Sequence, residues 1–309
     1  MQNYPRNLVE FEAWFSSEDA CLEYLKQLRW PTGFVCPACG GTRSWRVGTA
    51  LEECAGCGRQ TSVTAGTIFQ DSKKPMTMWF RAMWHVTSQK YGANALGMQR
   101  VLGFGSYRTA WAWLHKLRRA MVRPGRDRLA GTVEVDETFV GAAKAGKRGR
   151  GATGKTLVLI AAQKDGRRIG RIRLRCVPNA SADALQGAIK EMITPGSRIC
   201  TDGWKGYNGL DSVGYSHDVI RQESAVGNDM LPKCHRVAGL LKRWLDGTMH
   251  GAVRPQYLDY YLDEYTFRFN RRTSTHRDKL FYRLAEQAVA IEPVPLGTLI
   301  QQAHDNHNI

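Results

Sequence analysis

Several things are missing from this sequence, and each absence narrows the reading. No apolar run is long enough to span a bilayer, and the N-terminus has no signal-peptide pattern. A membrane protein and an exported one are therefore not expected; the expected location is cytoplasmic and nucleoid-associated. Acidic residues are scarce, with 28 Asp and Glu against 44 Lys and Arg, so 309 residues carry a net charge of +16. That imbalance calls for a polyanionic partner, with nucleic acid as the default. Cysteine is sparse as well. Of eight, four fall in two close pairs and Cys21, Cys176, Cys200 and Cys234 are scattered. This is not the framework of a small disulfide-stapled secreted chain; paired spacing in a reducing compartment points to metal.

The pairs are Cys36-Pro-Ala-Cys39 and Cys54-Ala-Gly-Cys57, each followed by glycine and separated by 14 residues. Four thiolates satisfy tetrahedral Zn²⁺, and the glycine after each pair lets the chain turn so that backbone N–H groups face the sulfurs. With Ser44–Val47 and Gln60–Thr64 as short strands, the segment 31–70 reads as a zinc ribbon. Its zinc is structural, because four thiolates leave no position for water. Ahead of it, residues 1–30 read as helical, with Ser17 as a cap and Pro31 as the stop.

Residues 71–124 read as helical. Met76, Trp79, Phe80, Met83 and Trp84 share one face after Pro75, and Ala93–Leu102, a Gly103-Phe104-Gly105 turn and a helix capped by Ser106 follow. Helix, glycine turn and helix fit both a DNA-binding helix-turn-helix and a plain helical hairpin. The basic residues Arg108, Lys116, Arg118 and Arg119, together with the net charge, favour DNA.

A turn-rich stretch from Arg123 to Arg128 reads as the boundary of a second domain, placed at 130–290, with 291–309 as a tail. Its first strand, Val133–Val140, alternates apolar and polar residues and carries Asp136 at its centre. An ionised carboxylate in mid-strand is costly to desolvate unless it is paired or binds metal. Next comes a glycine-rich basic segment with Lys144, Lys147, Arg148, Arg150 and Lys155, expected to gain order on a phosphate backbone. Within it, Gly149 to Thr156 matches the Walker A pattern, yet the run Leu157–Ala162 behind it is strand-like where a phosphate-binding loop needs a helix. Nucleotide binding is therefore not expected.

Beyond it the pattern predicts a hairpin turning at Lys164-Asp165-Gly166-Arg167, a helix capped by Ser181, a strand ending at Asp202, a strand near Tyr215–Ile220, and helices near Lys233–Leu245 and Gln256–Arg271. That order predicts an α/β fold: a ribonuclease-H-like mixed sheet as catalytic domain, preceded by the zinc ribbon and the helix-turn-helix region. In such a sheet Asp136 and Asp202 come side by side, and a late helix supplies a further ligand. His235 and Lys242 lie seven residues apart, hence on one helix face about 10.5 Å along the axis. One can reach metal while the other reaches phosphate. Two-metal phosphodiester cleavage needs clustered ligands of this kind.

The strings VDETFVG, TDGWKGY, HRVAGLLKRWLDGTMHG and YLDEYTFRFNRR, behind a zinc ribbon and helices, resemble the insertion-sequence transposases of the zinc-ribbon DDE group. The resemblance covers nearly the whole chain. It implies an enzyme that binds terminal inverted repeats, cleaves DNA at the element ends and joins the freed 3′-OH to target DNA, using Mg²⁺. It makes Asp136 the first metal ligand and Asp202 the second, and the family's third acidic position falls on His235, with Lys242 as its partner. Imidazole is a poorer ligand for Mg²⁺ than carboxylate and suits softer ions such as Mn²⁺; proton shuttling and phosphate contact are the other roles open to it. Glu264 is the rival third ligand. Pairing two DNA ends implies a homo-oligomer on DNA. The competing reading is a zinc-ribbon DNA-binding regulator with an inactive nuclease-like domain.

Overall fold

The computed structural model describes residues 3–123, 125–141, 155–221, 229–250, 253–276 and 278–299. The chain forms two compact units, one from residues 1–124 and 274–302, the other built on 125–273.

In the first unit the N-terminal segment folds as two helices, α1 (Leu8–Trp14) and α2 (Glu18–Arg29). Each start is fixed by a side chain accepting a backbone N–H, Asn7 from Glu10 and Ser17 from Ala20. The ribbon follows as a three-stranded antiparallel sheet of β1 (Ser44–Val47), β2 (Leu51–Cys54) and β3 (Gln60–Ser62), in that order. Glu52 of β2 is buried and pairs with Lys26 of α2 at 2.5 Å, accepting as well from the Ser44 hydroxyl at 2.8 Å, so the ribbon is tied to α2.

The helices α3 (Met76–Ser88), α4 (Ala95–Leu102) and α5 (Tyr107–Ala120) come next. Gly103 ends α4 in the left-handed region at φ 65°, and four residues later α5 begins, giving a helix-turn-helix. Ser106 stands at the start of α5, but its side chain makes no capping bond. Trp79 of α3 stacks on Trp113 of α5 at 3.5 Å between ring centroids. The sequence expectation carried the second domain to residue 290, yet helix α9 (Lys279–Ala288) packs in the first unit: Phe281 meets Phe11, Phe15, Phe80 and Trp84.

The second unit centres on a five-stranded mixed sheet of β4 (Thr132–Val140), β5 (Thr156–Asp165), β6 (Arg168–Val177), β7 (Arg198–Thr201) and β8 (Ser216–Val219), in the order β6-β5-β4-β7-β8. The first three strands run antiparallel, while β7 and β8 are parallel to β4 and to each other. This is the ribonuclease-H-like order expected from the sequence. Asp165 pairs with Arg168, so the hairpin loop is Gly166-Arg167, one step beyond the expected Asp-Gly, with Gly166 at φ 54°.

Alternation along β4 separates two cores. Val133 and Val135 face the layer containing α6 (Ala182–Met192), with Leu185 and Ile189. Val140, Val158 and Ile160 lie in the layer containing α7 (Pro232–Met249) and α8 (Leu258–Phe269). Among the described residues no helix is long and apolar enough to cross a membrane.

Candidate metal and nucleic-acid sites

The four ribbon cysteines converge. Their sulfurs lie within 4.8 Å of one another, with Cys36 to Cys57 and Cys39 to Cys54 both at 3.6 Å. Four sulfurs about 2.3 Å from a central Zn²⁺ would be about 3.75 Å apart, so the set fits that ion. Gly40 and Gly58 take positive φ, and the backbone N–H groups of Cys39 and Ala38 pull the Cys36 thiol down to about 6.

The second candidate site is built from β4, the end of β7 and the first turns of α7. In the parallel ladder Glu134 pairs with Cys200. Asp202 follows directly on the last residue of β7, where the chain turns through Gly203 at φ 80°, near enough to Asp136 for the two carboxylates to act on each other. The Asp136 side chain is 16 % exposed. Burial raises it to about 6; Glu137 and Asp202 push the same way, while a backbone N–H and His235 oppose them.

His235 lies opposite. Its Nε2 is 3.3 Å from Asp136 Oδ2, and its Nδ1 is 2.5 Å from Asp229 Oδ1. Two carboxylates thus hold one imidazole between them. Glu134, on the same face of β4 as Asp136, is buried and accepts the N–H groups of Lys233 at 2.8 Å and Cys234 at 3.2 Å. It serves the N-terminal turn of α7, which has no side-chain cap of its own, and so fixes the helix carrying His235 against the strand carrying Asp136.

The TDGWKGY string is the scaffold under Asp202. Asp202 Oδ1 accepts the Trp204 N–H at 3.0 Å, and the Trp204 indole donates to Ala180 O at 2.9 Å. The Tyr207 hydroxyl donates to Glu137 at 2.5 Å on the opposite face of β4. Gly206 is required by packing, since a Cβ there would sit 2.6 Å from the Ala180 carbonyl oxygen.

One turn pair beyond His235, the exposed Lys242 and the half-buried Lys155 line a cavity of about 250 Å³ with Phe139, Val140, Leu245 and Val253. The residue after Lys155 begins β5, so no helix follows the Walker-like string. Lys144, Lys147, Arg148 and Arg150 lie outside the described residues. On α5, Arg108 is exposed and Arg119 half-buried. Lys116 is half-buried as well, and burial lowers its pKa against the pull of Asp71.

Arg118 departs from expectation: it is 2 % exposed and donates to Ala93 O at 3.5 Å, because it falls four residues after Leu114 on the buried arc. Arg118, expected to face DNA, is instead part of the core. Glu264, the rival third ligand, is fully buried and paired with Arg268 at 2.9 Å, so its charge is already answered within α8.

Among the described residues, the cysteines are the set of three or more metal-type side chains whose ligand atoms all lie within 4.8 Å. Asp136, Asp202 and His235 are spread more widely. That spacing suits cations shared with substrate phosphate oxygens better than a closed protein cage. Two carboxylates and an imidazole are a fitting donor set for a divalent ion.

Comparison with known proteins bears on this geometry directly. Residues 128–270, which hold every member of the second site, match the ISXO2-like transposase domain. Residues 16–60 match the transposase zinc-ribbon domain. The chain belongs to the insertion-sequence transposases. It is also 26 % identical to a protein of the transposable element ISH50 of Halobacterium salinarum, over 82 % of this chain and 91 % of the relative. In this chain Asp229 and Glu134 stand in the candidate site without having been singled out by the sequence. Asp229 lies just ahead of the helix start at Pro232, a position that signals a cap. Glu134 gave no local signal, since its partners are about a hundred residues away.

Proposed function

We propose that this transposase binds the terminal inverted repeats of its element and carries out divalent-metal-dependent cleavage and strand transfer into target DNA. The observation supporting this most strongly is that His235 of α7 lies 3.3 Å from Asp136 of β4, while Asp202 follows the end of β7, the parallel neighbour of β4. These three residues would hold Mg²⁺ or Mn²⁺. When bound, such an ion would supply polarisation of the scissile phosphate and a lowered pKa for an attacking water or 3′-OH.

The protein's own contributions are positional. Glu134 sets α7 on the sheet, the TDGWKGY scaffold presents Asp202, and Lys242 and Lys155 offer cations to the phosphate backbone beside the site. Arg108 and Arg119 on α5, with Lys116 in a lesser role, are assigned to the DNA ends; Lys144, Lys147, Arg148 and Arg150 are assigned to the backbone from sequence alone. The ribbon with structural Zn²⁺ and the helix-turn-helix form the recognition unit, and two ends brought together call for a homo-oligomer. A protein acting on chromosomal DNA is placed in the cytoplasm, on the nucleoid.

The test uses end-labelled duplexes carrying the element termini, with Mg²⁺ or Mn²⁺, and compares the intact chain with D136N and D202N. The reading expects nicked and joined products from the intact chain, and end binding without products from both variants. Binding without cleavage by the intact chain on its own termini would leave a DNA-binding regulator.

A further inference from the structure

The His235 ring presents both nitrogens to carboxylates, Nδ1 to Asp229 at 2.5 Å and Nε2 to Asp136 at 3.3 Å. A neutral imidazole has one N–H, so it serves one acceptor as a donor and turns a lone pair toward the other. The shorter contact is to Asp229, whose Oδ1 also accepts the Leu231 N–H at 3.2 Å and is thereby anchored to the segment entering α7. Leu231 is buried, and Pro232 after it takes the first helical position, so this anchor does not swing freely. With the proton at Nδ1, the Nε2 lone pair faces the Asp136 carboxylate, an arrangement that is repulsive without a cation between them.

We propose that Asp229 is a positioning residue for cation binding, which holds the Nδ1–H tautomer of His235 and aims Nε2 at the ion shared with Asp136. The proposal rests on the reading of His235 as a metal ligand. It deepens that reading, because a carboxylate behind a ligating imidazole fixes the ring's orientation and raises its basicity. A ring so held favours ions that accept nitrogen, such as Mn²⁺, over Mg²⁺.

Mn²⁺ binding to the zinc-loaded full chain, followed by electron paramagnetic resonance, tests this without any DNA. D229N is expected to weaken Mn²⁺ binding by about 10- to 100-fold, and to weaken Mg²⁺ binding less, so that the preference for Mn²⁺ narrows. D229E should restore part of it. In an H235A background D229N should have no further effect, since Asp229 acts through the ring; that comparison also removes general loss of folding from the result. Unaltered Mn²⁺ binding in D229N, or an equal loss with and without His235, overturns the proposal and leaves the metal site standing. Unaltered binding in H235A overturns the ligand reading itself, and the proposal with it.

Discussion

Glu134 of β4 accepts the backbone N–H of Lys233 at 2.8 Å, two positions along the strand from Asp136 and on the same face. One buried carboxylate therefore joins the strand and the helix that supply two of the three candidate ligands. The bond is charge-assisted and lies at the positive end of α7, where an anion is favoured.

Removing this carboxylate should show in stability and then in metal binding. E134A leaves the Lys233 and Cys234 N–H groups without their acceptor and should cost about 1–3 kcal/mol. E134Q, which keeps an oxygen but no charge, should cost less. Urea unfolding measures both, and Mn²⁺ binding should follow the same order.

The strand beside this bond is legible in the alternation of Val133–Val140, which predicts Asp136 at mid-strand, where an ionised carboxylate needs a partner. Glu134 could not be read in the same way. A buried carboxylate and a solvated one look alike in a strand, and only the fold brings residue 233 to residue 134. The burial of Arg118 and Glu264 has a signal in their spacing: Arg118 follows Leu114 by four residues, and Glu264 follows Tyr261 by three. Both extend an apolar stripe, and both are buried charged residues within it.

Arg118 and Arg108 should therefore separate cleanly. R118A is expected to lower stability, because it removes a buried side chain and its bond to Ala93 O. R108A should leave stability unchanged, weaken binding to duplex ends, and reduce the slope of log affinity against log salt by about 1. Thermal unfolding and salt-dependent fluorescence anisotropy are the two measurements.

Gly206 should tolerate no side chain. An added Cβ would lie 2.6 Å from Ala180 O and 2.9 Å from both a Leu185 methyl and the Trp204 indole nitrogen. G206A should cost about 1–3 kcal/mol by overpacking and disturb the turn that presents Asp202. A lowered Tm with weakened Mn²⁺ binding is the expected pair of results.

One zinc per chain should be found by elemental analysis, released by a strong chelator or by C54S. Because the ribbon sheet is small and its four thiolates are its main crosslink, metal loss should open residues 36–60 to protease while the five-stranded sheet keeps its resistance. Mass spectrometry of the fragments locates the cuts.

The central claim is that Asp136, Asp202 and His235 share a divalent cation. Loading the zinc-bound chain with Fe²⁺ and adding ascorbate and peroxide cuts the backbone close to the bound iron. Cuts beside residues 136, 202 and 235 in the same sample, suppressed by excess Mn²⁺ and absent from D136N, are the predicted result. Cuts elsewhere on the chain, or a pattern unchanged in D136N, would contradict it.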